Sequence, residues 1–218
     1  MKRIALLFII LTGTTFAKVW VVDTTGAEGE KLQSAIDSAW QDPGIDTVLV
    51  KNGTYHLFIN DTVGLIMRDS VVLISENGAE KCTLTAVSED GTDTAWHVIY
   101  CSGWDTASHA ALIRGFTIKD GKARGPSPHN CGGGIYIYSA SPTIDSCIIT
   151  NNFAWASGAG IYIHDHSSPI LSGNTITDNV GGVGGGIYIH VYSSPTLKGN
   201  TITNNSAALD GGGIHITD

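Results

Sequence analysis

The chain has 218 residues, of which 12 are basic and 20 acidic, so its formal net charge is −8. Such a balance argues against nucleic acid as a partner and against anionic polyuronates unless calcium bridges them, and it favours neutral glycans, cationic partners or simple solubility. Charged residues make up only 15% of the chain, glycine occurs 27 times, and helix-forming residues are concentrated in one place. These features are typical of one elongated domain with a large core.

Residues 1–17 are typical of a secretory signal peptide. Lys2 and Arg3 precede an apolar stretch that ends at Phe16, and Thr15-Phe16-Ala17 forms a suitable cleavage site. The run is shorter than a transmembrane helix, and no other segment approaches about 18 apolar residues. We therefore expect a single mature domain over residues 18–218, with an extracellular, cell-surface or periplasmic location. An uncleaved signal that anchors the chain in a membrane is the alternative.

Residues 28–40 are the segment with helical periodicity. Its apolar positions fall on one face, and they are Leu32, Ala35, Ile36, Ala39 and Trp40. We predict an amphipathic helix that covers the first open sheet edge of the domain. A helix that binds a partner is the alternative.

The last third of the chain repeats one motif four times. Its glycine clusters begin at Gly132, Gly158, Gly184 and Gly211, which are 26, 26 and 27 residues apart. Each cluster opens an alternating segment such as Ile161-Tyr162-Ile163-His164, which predicts a strand with buried isoleucines and outward Tyr and His. Further apolar positions predict two more strands per repeat. Units of this size bury their apolar side only by stacking, so we predict an all-β parallel β-helix with three short strands per coil.

In-register coils place like residues over like and predict side-chain ladders. One column contains Asn152, Asn179 and Asn205, and another contains Asn174 and Asn200, continued by Cys147 and Phe116. Asparagine in these columns can donate and accept along the stack, so we expect a structural role.

Four cysteines in an exported chain permit disulfides with three possible pairings, and they are Cys82, Cys101, Cys131 and Cys147. Because Cys147 occupies an asparagine column, a buried free thiol is as good an expectation there as a bridge. The spacing does not fit a zinc site.

The coil pattern resembles the right-handed parallel β-helix of the pectin-lyase-like superfamily. The combination of GGGI with Ile-x-x-Asn is also similar to the GGAI and FxxN repeats of polymorphic outer-membrane proteins. Two N-terminal segments and one central segment agree with such proteins: residues 32–39, residues 46–55 and the IRGFTI sequence of residues 113–118. The resemblance covers nearly the whole mature chain and is specific for fold rather than for activity.

This resemblance implies polysaccharide lyase or glycosidase activity as one possibility. Lyases of the superfamily hold calcium with acidic residues and remove a proton with Arg or Lys, and the outward column of Arg114, Asp145, Ser172 and Lys198 has suitable residue types. It offers one carboxylate, so a salt bridge along the ladder is the simpler interpretation. The paired Asp motifs of the pectin hydrolases are absent from the sequence. The enzymatic status of the chain stays open, and calcium is expected only if it is a lyase.

Histidines form a second candidate group. His164 and His190 occupy neighbouring coils and His166 follows through an acidic bend, which would suit a transition metal. The column continues into Tyr138 and Thr217, so a ladder without metal is the alternative, and our expectation is that no metal or other cofactor is bound.

An outward aromatic stripe is the third candidate and the preferred ligand site. Its residues are Tyr136, Tyr162 and Tyr188, with His164 and His190 alongside and Trp155 in the bend before Gly158. Repeated flat rings can hold sugar rings or protein partners, or they can simply stabilise stacked strands. We predict a glycan-binding or adhesive module. Because only four residues follow Gly213 and Ile214, we also expect further coils or an anchoring domain beyond Asp218.

Overall fold

The computed structural model describes residues 17–24, 28–104 and 111–218. Apart from one helix, short strands that stack in parallel dominate this part of the chain and wind into a β-solenoid of about seven turns. The predicted signal segment, except for Ala17, lies outside the described residues.

The strands form four sheets. In stacking order, sheet 1 contains β1 (Val19–Val22), β2 (Asp46–Val50), β5 (Val71–Ser75), β8 (Leu112–Arg114), β12 (Thr143–Asp145), β16 (Ile170–Ser172) and β20 (Thr196–Lys198). Sheet 2 contains β3 (Gly53–His56), β6 (Cys82–Thr85), β9 (Thr117–Lys119), β13 (Ile148–Thr150), β17 (Thr175–Thr177) and β21 (Thr201–Thr203). Sheet 3 contains β4 (Val63–Ile66), β7 (His97–Ser102), β11 (Ile135–Tyr138), β15 (Ile161–His164), β19 (Ile187–Ile189) and β23 (Ile214–Ile216). Sheet 4 contains β10 (Lys122–Ala123), β14 (Phe153–Ser157), β18 (Val180–Val183) and β22 (Ser206–Ala207).

The three strands predicted for each coil belong to sheets 1, 2 and 3. Sheet 4 was not predicted from the repeat. Its inward column carries only small residues, among them Ala123, Ala154 and Gly181. Because these small residues produce no apolar periodicity, a fourth strand cannot be predicted from the sequence.

Register between coils follows the predicted columns. Ile135, Ile161, Ile187 and Ile214 pair in sequence along sheet 3. The first three are fully buried in the main core, and each such side chain contributes on the order of 1.5–3 kcal/mol.

The first three glycine clusters require glycine at two of their positions. Gly158 has a φ of 59°, a left-handed conformation that favours glycine. A Cβ on Gly160 would lie 2.5 Å from the carbonyl oxygen of Gly186 in the next coil. The coils therefore approach each other closely at these turns.

The asparagine ladders are confirmed. Oδ1 of Asn179 accepts hydrogen bonds from the backbone N and from Nδ2 of Asn152, both at 3.0 Å. Nδ2 of Asn179 donates to the carbonyl of Ile149 and to Oδ1 of Asn205, both at 2.9 Å. Each amide thus satisfies buried backbone groups of its own bend and of the neighbouring coil.

The predicted helix is α1, Glu28–Gln41, and it packs against β1, β2, β3, β4 and β5 at the first coil. Leu32, Ala35, Ile36 and Ala39 are buried, as predicted, but Trp40 is 48% exposed. Its indole N–H donates to Asp69 at 2.8 Å and the Arg68 guanidinium lies 4.9 Å from its ring. The assignment of Trp40 to the buried face was wrong, because these polar partners hold the ring at the rim.

All four cysteines are buried and free, so no disulfide forms among them. Cys101 lies in the main core, whereas Cys131 packs in a separate cluster with Tyr136 and Tyr162. Burial raises the pKa of the Cys147 thiol to about 11. Of the two expectations for Cys147, a buried free thiol or a disulfide, the buried free thiol is confirmed.

Candidate functional site

The outer face of sheet 3 has a covered part. Tyr136 and Tyr162 point away from the main core, as predicted, but they are only 2% and 7% exposed. With Tyr100 they form a covered ladder in which neighbouring ring centroids are 5.1 and 5.2 Å apart. Their assignment to an exposed ligand-binding stripe is therefore corrected, since a ligand cannot reach them in this structure.

Two chain segments cover these tyrosines. The segment before Gly132 and the end of β14 meet through hydrogen bonds from Ala156 N to Asn130 O at 2.8 Å and from Gly132 N to Ser157 O at 3.0 Å. Cys131 packs directly on Tyr136 and Tyr162. Burial raises the pKa of both tyrosine hydroxyls, so they stay neutral and the cluster behaves as a small second core.

The other end of the same strands is open. Tyr138 is 39% exposed, and His164 and His190 follow it on the next two coils. Ring centroids are 5.5 Å apart for Tyr138 and His164 and 5.4 Å apart for His164 and His190. We call these three residues the open ladder.

The bends that follow β15 and β19 present two more rings beside the open ladder. His166 and Tyr192 lie on the solvent side with centroids 5.3 Å apart. Both have left-handed backbones, as do the residues before them, Asp165 and Val191. A β-branched residue such as Val191 rarely adopts this conformation, and local strain of about 1–3 kcal/mol clusters at functional sites.

Asp165 supplies a carboxylate at this surface. Its Oδ2 accepts a hydrogen bond from the Ser139 hydroxyl and its Oδ1 contacts Nδ1 of His166 at 3.0 Å. The Ser139 hydroxyl, followed by His166, lowers the pKa of the Asp165 carboxyl. Asp165 and Tyr192 were not predicted as site residues from the sequence. The sequence does contain a signal for them. In these two coils one more residue separates the strand from the Ser-Pro step than in the coil of Tyr138.

The three candidate metal ligands do not converge. His166 faces Asp165 and Tyr192, whereas His164 stacks between Tyr138 and His190. Burial, and then the charge of His190, lowers the pKa of His164. Across residues 17–24, 28–104 and 111–218, no three His, Cys, Asp or Glu side chains are arranged to hold a metal ion.

The catalytic candidates are only partly brought together. Arg114 Nε donates to Asp145 Oδ2 at 2.7 Å, an ion pair between neighbouring coils. Ser172 pairs with Asp145 and with Lys198 in register, so it separates these two residues by one coil. In this arrangement the Arg114 guanidinium is occupied by Asp145.

Trp155 lies on a different face from the open ladder. It belongs to β14 of sheet 4 and is 70% exposed. Phe153 shares this outer face, and the Arg124 guanidinium lies 5.0 Å from the Phe153 ring. Trp155 is thus accessible, but the structure does not join it to the other predicted ligand residues.

A histidine pair beside the covered ladder, with His97 buried and His129 half-buried, was also missed. His97 is fully buried, and its ring centroid lies 4.9 Å from Tyr136 and 5.4 Å from His129. His129 comes from the segment between β10 and Gly132, which is longer than the equivalent segments of later coils. This extra length, with its Gly-Pro and Ser-Pro steps, was the available signal.

The stacked parallel sheets and their asparagine and aromatic ladders define a solenoid of the β-helix class. Residues 47–218 match the family model described as "Right handed beta helix region", and the chain belongs to this family. Comparison with curated proteins and with solved structures found no match. No helix in the described part of the chain has the length and apolar character needed to cross a membrane.

Proposed function

We propose that this protein is an exported or cell-surface β-helix that binds a polysaccharide along the open ladder. The observation that carries the proposal is the regular series of rings at Tyr138, His164 and His190, with centroid separations of 5.5 and 5.4 Å. Tyr138 is exposed and the two histidines are half-buried. Successive sugar rings of an extended chain repeat on the same length scale, so each ring can meet one sugar. Because Tyr138 and His164 stack on each other, the ring edges and their polar atoms, rather than the ring faces, would contact the sugar and its hydroxyls.

Polar groups beside the ladder support a glycan over an apolar partner. Asp165, held by Ser139 and His166, presents carboxylate oxygens that accept from sugar hydroxyls. His166 and Tyr192 extend the surface sideways. The acidic net charge favours a neutral glycan over a polyuronate.

The experiment is retention of the exported protein on a panel of soluble and insoluble polysaccharides, scored together with the release of unsaturated sugar ends. We expect retention on one class without release of new ends. Tyr138→Ala combined with His190→Ala should weaken retention about tenfold or more, by analogy with aromatic stacking on nucleic-acid bases. Trp155→Ala is the matched control, since it removes a more exposed ring from sheet 4. Loss of retention only in the Trp155 variant would place the site on the other face and refute the open ladder.

A further inference from the structure

Asp46, the first residue of β2, has a carboxylate with one unused oxygen. The side chain is 0% exposed, and its Oδ1 accepts a hydrogen bond from the backbone N of Lys18 at 2.8 Å. Its Oδ2 is buried and has no hydrogen-bond partner among the described residues. A buried carboxylate is normally paired with a charge and hydrogen-bonded at both oxygens, because an unpaired one is costly.

The carbonyl oxygen and the side-chain amine of Lys18 also have partners, and these contacts hold the residue beside the Asp46 carboxylate. Its carbonyl oxygen accepts from Thr47 N at 2.9 Å, and its Nζ forms an ion pair with Asp42. Ala17, the residue before it, is exposed. The α-nitrogen of Lys18 is therefore held at Asp46, while the peptide bond that precedes it lies at the surface.

We propose that the Ala17–Lys18 bond is hydrolysed during export and that the new α-ammonium group of Lys18 forms a buried ion pair with Asp46. The inference rests on the leader predicted from residues 1–17 and not on the glycan site. A leader-removing endopeptidase adds one water across the bond: Ala17 leaves as a carboxylate and the nitrogen of Lys18 becomes a protonated amine. An amide N–H reaches one oxygen, whereas an ammonium group has three donors and a charge and serves both Oδ1 and Oδ2.

The position of the cut follows from this geometry. A cut one residue earlier leaves a neutral amide at Lys18, and a cut one residue later removes the group that contacts Asp46. Because the pair joins the residue before β1 to the start of β2, processing at this bond fastens the outer strand of sheet 1 to its neighbour. Both oxygens of the Asp46 carboxylate thus have a partner only in the processed chain.

The first test is N-terminal sequencing and intact-mass measurement of the exported product of the full chain. We expect Lys18 at the N-terminus. A product that starts at any other residue overturns the proposal. Because this readout involves no glycan, it separates the proposal from the proposed function.

The second test measures the reactivity of the α-amine in the exported product. Reductive methylation with formaldehyde, located by tandem mass spectrometry, should be at least about tenfold slower at the α-amine of the native product than in Asp46→Asn, because an ion-paired ammonium is not nucleophilic. Asp42→Asn is the matched control, since it removes only the partner of Nζ, and it should leave the α-amine rate unchanged. If Asp46→Asn does not fold, the native rate is compared with that of the same product in urea. Equal rates in these comparisons would overturn the ion pair.

Discussion

His97 accepts a hydrogen bond at Nε2 from Nδ1 of His129, at 3.1 Å, while its own Nδ1 contacts the carbonyl oxygen of Gly132 at 2.8 Å. A carbonyl can only accept, so Nδ1 of His97 carries a proton, and in the neutral ring Nε2 is the acceptor. His129 is then the donor at Nδ1. The contact ties the segment that covers the tyrosines to β7, and burial favours the neutral form of His97 by lowering its pKa.

Acid should weaken the fold through His97. Burial is the largest effect and lowers the pKa of His97. The hydrogen bond to Gly132 opposes it and the charge of His129 adds to it, so the pKa falls to about 4. The unfolded chain takes up this proton near its ordinary pKa of about 6.5, so stability is complete above about pH 6.5 and is lost down to about pH 4, by at most about 3 kcal/mol.

Urea unfolding at about pH 7 and about pH 4.5 measures this effect. His97→Gln should unfold more readily at neutral pH and show a shallower loss on acidification than the wild-type protein. Trp155→Ala, which removes an exposed ring that does not titrate, should keep the wild-type slope. Parallel slopes for wild type and His97→Gln would contradict the conclusion that burial favours neutral His97.

The covered and open ladders should differ in stability. Tyr162→Ala empties a position that is 7% exposed and should cost about 3–5 kcal/mol, the range for a large buried ring. Tyr138→Ala, at the open end of the neighbouring strand, should cost less than about 1 kcal/mol. Chemical denaturation of both variants checks the order, and equal costs would mean that the covering segments do not exclude solvent.

The last glycine of each of the first three clusters should not tolerate a side chain. Gly160→Ala places a Cβ 2.5 Å from the Gly186 carbonyl oxygen, an overpacking that should cost about 1–3 kcal/mol. Gly181→Ala is the control, because its Cβ would meet Ala159 at an ordinary 3.4 Å. Thermal unfolding of the pair measures the difference, and a wild-type melting temperature for Gly160→Ala would show that the coils can separate at this turn.

The asparagine ladder should be weakest at its end. Asn179→Ala removes bonds to Asn152, Ile149 and Asn205 and leaves several buried groups unpaired, at about 1–3 kcal/mol for each. Asn205→Ala removes a less buried member and should cost less. Denaturation midpoints that fall in the reverse order would contradict a cooperative ladder.

The sequence predicted the parts of this molecule that repeat. The isoleucine column, its register and the asparagine ladder follow from a constant interval, which fixes both the inward face and the contact between coils. It did not predict which outward tyrosines are covered, because the cover comes from the irregular segment that carries His129 and Cys131. Sheet 4 was not predicted for a related reason, because Ala154 and Gly181 produce no apolar pattern.

The contact of His97 with His129 could not be derived either. The two residues lie 32 positions apart. His97 is on β7, and His129 is in an excursion that the later coils lack. Asp165 and Tyr192 were within reach of sequence reasoning, because one extra residue distinguishes their bends from the bend after Tyr138.

The most direct test of the glycan-binding account is an NMR titration of the exported protein with an oligosaccharide cut from the polysaccharide that retains it. We expect saturable shifts and saturation transfer at the rings of Tyr138, His164 and His190, with smaller effects at His166 and Tyr192. Shifts confined to Trp155 and Phe153 on sheet 4, or no saturable shifts at the open ladder, would contradict the account.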